Sequence, residues 1–323
     1  MHSKQYLKLL FSIFAFVSIL AMIYVYNFAK KYPLPVTNYI SLDAKIKFIR
    51  EKINVDEIDT LIVGSSLGLN NVQGVYLEKT SKYANHVLNI SVYGSSATEI
   101  EQLIELRKAF PNVKRIIYSA QYSDFPHDWH YTNYNSKILV PYIRDELNIF
   151  EHFLLIFRAC NNLYFCYNRQ KEWKDKHMMH NKFTYLGFDD TGSVPLHIYD
   201  DDIIGHRWRG AQPNIQNRKS FEAVDRISKK LFIEGIKFYL IQGPYRGPLV
   251  KKHQFVRDAL KYFSNTNSKI LKKNNGYFLS LHEKLHLDDK YFADRTHLND
   301  KGSIIAAEEI AKFIDITEDK NKN

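Results

Sequence analysis

Two short motifs, far apart in the chain, carry side chains suited to acyl transfer. Gly-Ser-Ser-Leu at positions 64–67 follows a short apolar run, and Asp-Arg-Thr-His at 294–297 precedes the last predicted helix. A serine becomes a nucleophile when a histidine takes its proton, and a carboxylate on the other ring nitrogen fixes the tautomer of that histidine. An aspartate three positions before a histidine lies on the same side of one turn. We therefore expect Ser66, His297 and Asp294 to form a catalytic triad.

Each motif alone also has an ordinary structural explanation. A Gly-Ser-Ser turn is common in loops, and Asp294 is equally able to cap the chain or pair with Arg295. The two motifs become informative together, because a serine near the start, an Asp-x-x-His near the end and a set of strands between them form a specific pattern.

The elements that position these residues alternate between strands and helices. Amphipathic spacing predicts helices over residues 42–53, 98–110, 221–233, 255–263 and 301–314. Short apolar runs predict buried strands at 60–63, 87–90, 115–119 and 237–242. The alternation predicts an α/β domain with a parallel sheet and helices on both faces. Ser66 then lies at the carboxyl edge of the sheet, where open α/β folds place their sites.

This arrangement resembles the SGNH (or GDSL) hydrolase superfamily over roughly residues 58–314, apart from a long insertion. In that family's first block the serine is the nucleophile, and Ser66 matches it, with Ser65 in place of the usual aspartate. The second block supplies a glycine N–H to the oxyanion hole, and Gly94 matches it. The last block supplies the triad residues matched by Asp294 and His297. The resemblance implies a three-layer, flavodoxin-like fold and ester chemistry with an oxyanion hole that includes Ser66.

The third block departs from the family pattern. The family places an asparagine there as an oxyanion donor, whereas the strand here ends in Ser-Ala-Gln-Tyr at 119–122. Gln121 carries the same amide on a longer side chain, so we expect it to complete the oxyanion hole. The alternative is that Gln121 hydrogen-bonds a neighbouring loop and holds it in place. The blocks look similar to membrane-anchored envelope acyltransferases such as the D-alanyl-transfer protein of teichoic-acid modification, which implies a multi-pass membrane acyl-donor protein as a partner.

The N-terminal segment predicts a membrane anchor. Residues 9–29 carry no charge and are rich in Leu, Ile, Phe and Val, and lysines flank both ends. A helix of this length spans a hydrocarbon core of about 30 Å. We divide the chain into an anchor at 1–29, a linker with a short helix at 30–57, a catalytic domain at 58–315 and a polar tail at 316–323. Pro33 and Pro35 predict a stiff spacer, and we expect a single pass through the cell membrane with an extracytoplasmic domain.

The strand–helix alternation stops within an insertion at about residues 125–213. This segment contains all three tryptophans and both cysteines of the chain. Such an insertion is either a lid or substrate platform, or a cap that covers the sheet. Cys160 and Cys166 either pair across a short loop in an oxidising compartment or remain two buried thiols.

The composition narrows the class of partner. The net charge is +10. A basic protein is suited to bind an anionic membrane surface or a polyanionic glycan, or its charges simply form a solvated basic surface. No zinc-finger, RNA-recognition or helix-turn-helix pattern is present in the sequence, so nucleic acid ranks last. His177 and His180 lack a third ligand with suitable spacing, and no metal or other cofactor is expected. Three further segments carry weaker signals of a binding role, namely 200–202, 206–209 and 243–247.

These observations predict a membrane-anchored serine esterase or O-acyltransferase that works through an acyl-serine intermediate. An aromatic, basic insertion behind an anchor favours a cell-envelope polysaccharide as substrate or acceptor. Two rival hypotheses remain: a non-catalytic glycan-binding or assembly protein on an SGNH scaffold, and a lipid esterase with an apolar groove.

Overall fold

The computed structural model describes residues 3–37, 39–125, 135–160, 162–177, 179–180, 183–203 and 218–320. For residues 3, 177, 179, 180 and 183 the description covers the backbone alone. The insertion is therefore described in part, and Trp129 and Trp208 lie outside the described residues.

The described chain contains the following helices: α1 (Ser3–Lys31), α2 (Ile40–Lys52), α3 (Ser66–Asn71), α4 (Gly74–Thr80), α5 (Ala97–Leu103), α6 (Ser136–Ile143), α7 (Ile149–Ala159), α8 (Leu163–His177), α9 (Arg218–Ile233), α10 (Gly247–Lys252), α11 (Gln254–Lys273), α12 (Leu281–Leu285) and α13 (Asp300–Lys320). Short 3₁₀ turns lie at Ile104–Ala109, Tyr122–Asp124, Asp200–Asp202 and Asp289–Tyr291.

A five-stranded parallel sheet forms the centre of the molecule. Its strands are β1 (Thr60–Gly64), β2 (Val87–Asn89), β3 (Arg115–Ala120), β6 (Lys237–Gln242) and β7 (Tyr277–Ser280). They lie in the order β2-β1-β3-β6-β7. A separate two-stranded ribbon pairs β4 (Met179–His180) with β5 (Phe183–Thr184). The four predicted strands are confirmed, and the order reverses between β1 and β3, which is where doubly wound sheets bind their ligands.

Helices cover both faces of the sheet because the strand side chains alternate between two cores. On one face, Leu61, Ile116 and Leu240 pack with helices α2, α5, α9 and α11. On the other face, Ile62 and Ile117 pack with α4, α12 and α13. Strands that are buried on both sides explain the continuous apolar runs in the sequence. The predicted α/β class with helices on both faces is confirmed.

Helix α1 is the one helix among the described residues that is long and apolar enough to cross a membrane. The most apolar window of 18 residues within its span Lys4–Lys31 has a mean hydropathy of 2.4. The prolines end this helix as predicted, but they do not keep it apart from the rest of the chain. Val25 and Phe28 in its last turns are buried against α7 and α8, in a small core that includes Cys160 and Cys166. The two cysteines form a disulfide, which resolves the alternative left open by the sequence.

Part of the insertion is built into the sheet domain. Thr191 O accepts a hydrogen bond of 2.7 Å from Asn89 N at the end of β2, and Leu69 O in α3 accepts one of 2.9 Å from Val194 N. Asp300 N at the start of α13 donates to Leu196 O at 2.8 Å. This portion of the insertion therefore acts as a structural cap along the edge of the sheet.

The predicted polar tail at 316–323 is part of a helix up to residue 320, because α13 continues to Lys320. Glu318 is 3% exposed and accepts hydrogen bonds from Arg115, Lys237 and Tyr239. These partners belong to β3 and β6, so the end of the helix is fixed to the amino edge of the sheet.

Candidate active site

The turn after β1 presents Ser66 at the carboxyl edge of the sheet. Ser65 is the N-cap of α3, where its Oγ accepts a hydrogen bond from Leu67 N at 3.3 Å. Gly64 allows the helix to start this close to the sheet, because a Cβ at Gly64 would lie 2.5 Å from Ser119 O and 3.0 Å from the Cα of Gly68. Ser66 is therefore the first residue of a helix that is held tightly against β3.

The predicted triad is assembled. His297 Nε2 lies 2.8 Å from Ser66 Oγ, and His297 Nδ1 lies 2.7 Å from Asp294 Oδ2. These distances allow the serine hydroxyl to donate to one ring nitrogen while the other ring nitrogen donates to the carboxylate. The His297 side chain is 24% exposed, so it is reachable from one side.

Asp294 is fixed by the backbone of its own turn. Its Oδ1 accepts hydrogen bonds from Thr296 N at 2.8 Å and from His297 N at 2.7 Å, which leaves Oδ2 for the imidazole. Burial would raise the pKa of Asp294, but the charge of His297 and these hydrogen bonds lower it well below its usual value. Asp294 therefore stays ionised and keeps His297 oriented.

The pKa of His297 is raised above its ordinary value. Burial alone would lower it, and the charge and hydrogen bond of Asp294 outweigh the burial. Asp124 contributes a further negative charge that raises this pKa, while Arg295 lowers it. A more basic imidazole is a stronger proton acceptor toward serine, and it is in its working neutral form only above the raised pKa.

The side chain of Asn71 and the backbone of Arg246 hold the histidine loop through three hydrogen bonds. Asn71 at the end of α3 donates to Thr296 O at 3.0 Å and accepts from Leu298 N at 2.8 Å. Arg246 N donates to Arg295 O at 3.2 Å. Because Asn71 and Ser66 belong to the same short helix, Asn71 sets the position of the base relative to the nucleophile. The sequence analysis did not identify Asn71.

The structure does not place Gln121 as an oxyanion donor. Its side chain is fully buried, and Nε2 donates to Pro244 O at 3.2 Å and to Thr296 O at 3.4 Å. The amide hydrogens are thus directed at two backbone carbonyls, one of them in the histidine loop. This is the alternative stated above, in which Gln121 holds a neighbouring loop, and the longer side chain lets it reach both carbonyls.

Gly94 lies in the turn that follows β2, the strand that pairs with β1. It is exposed and has φ +71°, a conformation that glycine adopts without strain. The N–H groups of Ser66 and Gly94 remain the predicted oxyanion donors.

A second carboxylate, Asp124, lies beside the triad and was missed by the sequence analysis. Ser65 Oγ donates to its Oδ1 at 3.0 Å, and Gln121 N donates to its Oδ2 at 3.0 Å. Burial raises the pKa of Asp124 to about 7, against the lowering effect of these hydrogen bonds and of His297. Asp124 thus links the turn that carries the nucleophile to the loop after β3. A polar residue four positions after the strand end was the one available signal.

The segments and histidines with weaker signals of a binding role are placed differently by the structure. Tyr245 and Arg246 in the 243–247 segment are buried, and Arg246 pairs with Asp289 at 2.6 Å, so this segment supports the histidine loop. The aspartates at 200–202 are exposed in a 3₁₀ turn. Segment 206–209 and the side chains of His177 and His180 lie outside the described residues. Among the described residues no group of three or more His, Cys, Asp or Glu is arranged to bind a metal.

No family model and no curated protein matches the chain, whereas several solved structures are similar to it. The chain is similar to a protein from Desulfitobacterium hafniense described as a lipolytic protein of the G-D-S-L family, with 11% identity, a TM-score of 0.42, and coverage of 79% of this chain and 99% of that chain. It is also similar to the acetylxylan esterase Axe2 from Geobacillus stearothermophilus, with 10% identity, a TM-score of 0.40, and coverage of 80% and 94%. A protein from Bacteroides fragilis described as an acylhydrolase has 11% identity, a TM-score of 0.41, and coverage of 84% and 95%. Similarity at this level does not bear on activity.

Proposed function

We propose that the protein is a membrane-anchored serine esterase or O-acyltransferase that forms an acyl-serine on Ser66. The observation that carries this proposal is the continuous chain of hydrogen-bonding distances from Ser66 Oγ through His297 to Asp294, at 2.8 and 2.7 Å. Three side chains from the turn after β1 and from the loop before α13 meet in this way at the sheet edge where α/β folds bind their ligands.

The reaction follows from these contacts. His297 Nε2 takes the proton of Ser66 as its Oγ attacks the ester carbonyl, and the N–H groups of Ser66 and Gly94 stabilise the oxyanion. The tetrahedral intermediate collapses, the imidazolium gives its proton to the departing alcohol, and the acyl group stays on Ser66. Water or a second hydroxyl then attacks the acyl carbonyl while His297 takes its proton. The acyl–Oγ bond breaks, the imidazolium returns the proton to Ser66 Oγ, and the acyl group leaves as an acid or as a new ester.

We propose a cell-envelope polysaccharide as the acceptor or substrate and an extracytoplasmic site. The apolar helix α1 supports a position at a membrane. The disulfide between Cys160 and Cys166 supports an oxidising compartment. A basic chain with a net charge of +10 supports an anionic polymer as partner, and a multi-pass membrane protein is the proposed acyl donor.

The decisive experiment is the mass of the protein after incubation with 4-nitrophenyl acetate. An acetyl group of about 42 Da on the peptide that contains Ser66 is expected, and the His297→Ala variant is expected to lose it. The Ser65→Ala variant is the matched control, because it removes the neighbouring hydroxyl and keeps the triad. A label on Ser65, or no label under conditions where the protein is folded, would overturn the proposal.

A second measurement separates hydrolysis from transfer. The acetylated protein is isolated and divided between buffer and buffer with an oligosaccharide of envelope type, and the loss of the acyl-serine is followed by mass. A transferase loses the acyl group faster with the acceptor and yields an acetylated sugar. An esterase loses it at the same rate in both and yields acetate.

A further inference from the structure

Helix α7, the turn that follows it and the first turn of α8, together called the α7–α8 turn (residues 149–167), carry a patch of exposed large apolar side chains. Ile149 is 92% exposed and Phe150 is 72% exposed. The other exposed members of this patch are Phe153, Phe157, Leu163, Tyr164, Phe165 and Tyr167. Apart from α1, the other exposed large apolar residues in the described chain are scattered on four different helices. A contiguous patch of this kind marks a contact with a partner or a membrane.

The opposite side of the same turn is fixed to the anchor helix. Leu155, Ile156 and Ala159 pack in the small core that contains Val25 and Phe28 of α1. The disulfide between Cys160 and Cys166 closes the turn, and both cysteines are buried in this core. The apolar patch is therefore held at a set position along α1.

That position corresponds to the boundary of a bilayer. Val25 lies six residues before Lys31, which at 1.5 Å per residue places it about 9 Å below the end of the helix. Interfacial helices bury their apolar faces about 5–10 Å into the boundary between headgroups and acyl chains. Lys30 and Lys31 follow directly and belong at the level of the lipid headgroups.

We propose that α7 and the first turn of α8, residues 149–167, form a second membrane contact that lies in the bilayer interface beside α1. The inference rests on the membrane anchoring proposed above. The bilayer is the occupant because the patch continues the exposed apolar surface of α1, where Tyr24 and Tyr26 remain uncovered while Val25 and Phe28 are covered by this turn. The contact fixes the rotation and height of the catalytic domain above the membrane, which one helix alone does not fix.

Spin labels on the full-length chain test this arrangement. The two native cysteines pair with each other, so a single introduced cysteine is the one free thiol available for a nitroxide reagent under non-reducing conditions. Three labelled variants are compared, Phe153→Cys on the patch, Phe14→Cys on α1 and Ile233→Cys on α9, all exposed apolar positions. Each is reconstituted in vesicles of phosphatidylcholine and phosphatidylglycerol, and circular dichroism and thermal melting check its fold.

Collisions with oxygen, which concentrates in lipid, and with a water-soluble nickel chelate then report the surroundings of each label. We expect a several-fold higher ratio of oxygen to nickel collisions at Phe153 and Phe14 than at Ile233. If Phe153 behaves like Ile233 while Phe14 is in lipid, the inference is wrong and the anchor stands. If Phe153 is shielded from both reagents, a protein surface such as a second copy covers the patch, and the inference is again wrong. If Phe14 itself collides mainly with nickel, the proposed anchoring fails as well.

Discussion

The carboxyl edge of the sheet and the α7–α8 turn are built in opposite ways. At the sheet edge the triad and the groups that hold it are joined by hydrogen bonds, most of them between segments far apart in the chain. At the α7–α8 turn large apolar side chains point outward. The first region is a set of polar groups directed at a small reacting centre, and the second is a broad apolar surface suited to lipid. Under the two proposals above, catalysis and membrane attachment belong to separate parts of the molecule.

The two regions also belong to different cores. The cysteines and the last turns of α1 form their own small cluster, whereas the strands and their helices form the two large ones. Changes at distant sites without shared partners usually act independently. The following predictions test that independence, beginning with the largest expected effect.

Replacing Ser66 by alanine is expected to remove turnover of a short acyl ester by about 10⁴-fold or more, because the nucleophile is lost. Ser65→Ala is expected to keep activity within about tenfold and to lose about 1 kcal/mol of stability, because Ser65 caps α3. Steady-state kinetics and thermal melting in detergent measure both. Equal loss of activity in the two variants would contradict the assignment of the nucleophile.

Replacing Gln121 by alanine is expected to lower stability and activity together. The change leaves the carbonyl of Pro244 without its buried donor, which costs about 1–3 kcal/mol. It also removes one of the two donors to Thr296 O, where Asn71 remains, and so loosens the histidine loop. Gln102→Ala, at an exposed position, is the matched control. A Gln121→Ala protein with an unchanged melting temperature and a greatly reduced kcat would instead support the assignment of Gln121 as an oxyanion donor.

Replacing Asp124 by asparagine is expected to shift the pH profile. Activity of the wild type should fall as pH drops through the raised pKa of His297, because a protonated imidazole cannot take the serine proton. Asp124 is one of the charges that raise that pKa, so Asp124→Asn should move the acid limb of kcat/KM to lower pH. The exposed Asp258→Asn serves as control. An unshifted limb would mean that Asp124 does not act on His297.

Replacing both cysteines by serine is expected to have the smallest effect on catalysis. Hydrogen exchange should rise across residues 149–167, because the bond closes the turn between α7 and α8. Turnover of a soluble ester in detergent should remain within about twofold, because the cysteines lie in a separate core. A large loss of activity would show that the two regions are coupled.

The strands and the triad were predictable because their signals are local. A buried strand shows as an apolar run, and Asp294 and His297 are three positions apart on one turn. Strand β7 (Tyr277–Ser280) was missed, because it has four residues of which three are only partly buried.

The supporting contacts were not predictable because their partners are distant in sequence. Asn71 reaches the histidine loop across more than two hundred residues. Gln121 was assigned from its position at a strand end, but its amide finds carbonyls in two other loops. Glu318 looked like part of a solvated tail, and it is buried because Arg115 and Lys237 on the sheet reach it.

The disulfide at the α7–α8 turn also reports the redox environment that each molecule has entered. Cytosolic thiols are kept reduced, so a chain whose domain has not crossed the membrane carries two free thiols, and a chain that has crossed into an oxidising space carries none. The two cysteines are the only ones in the sequence. If the domain is extracytoplasmic, as proposed, counting thiols on the denatured protein measures the fraction of chains that were translocated, without any reporter fused to the protein.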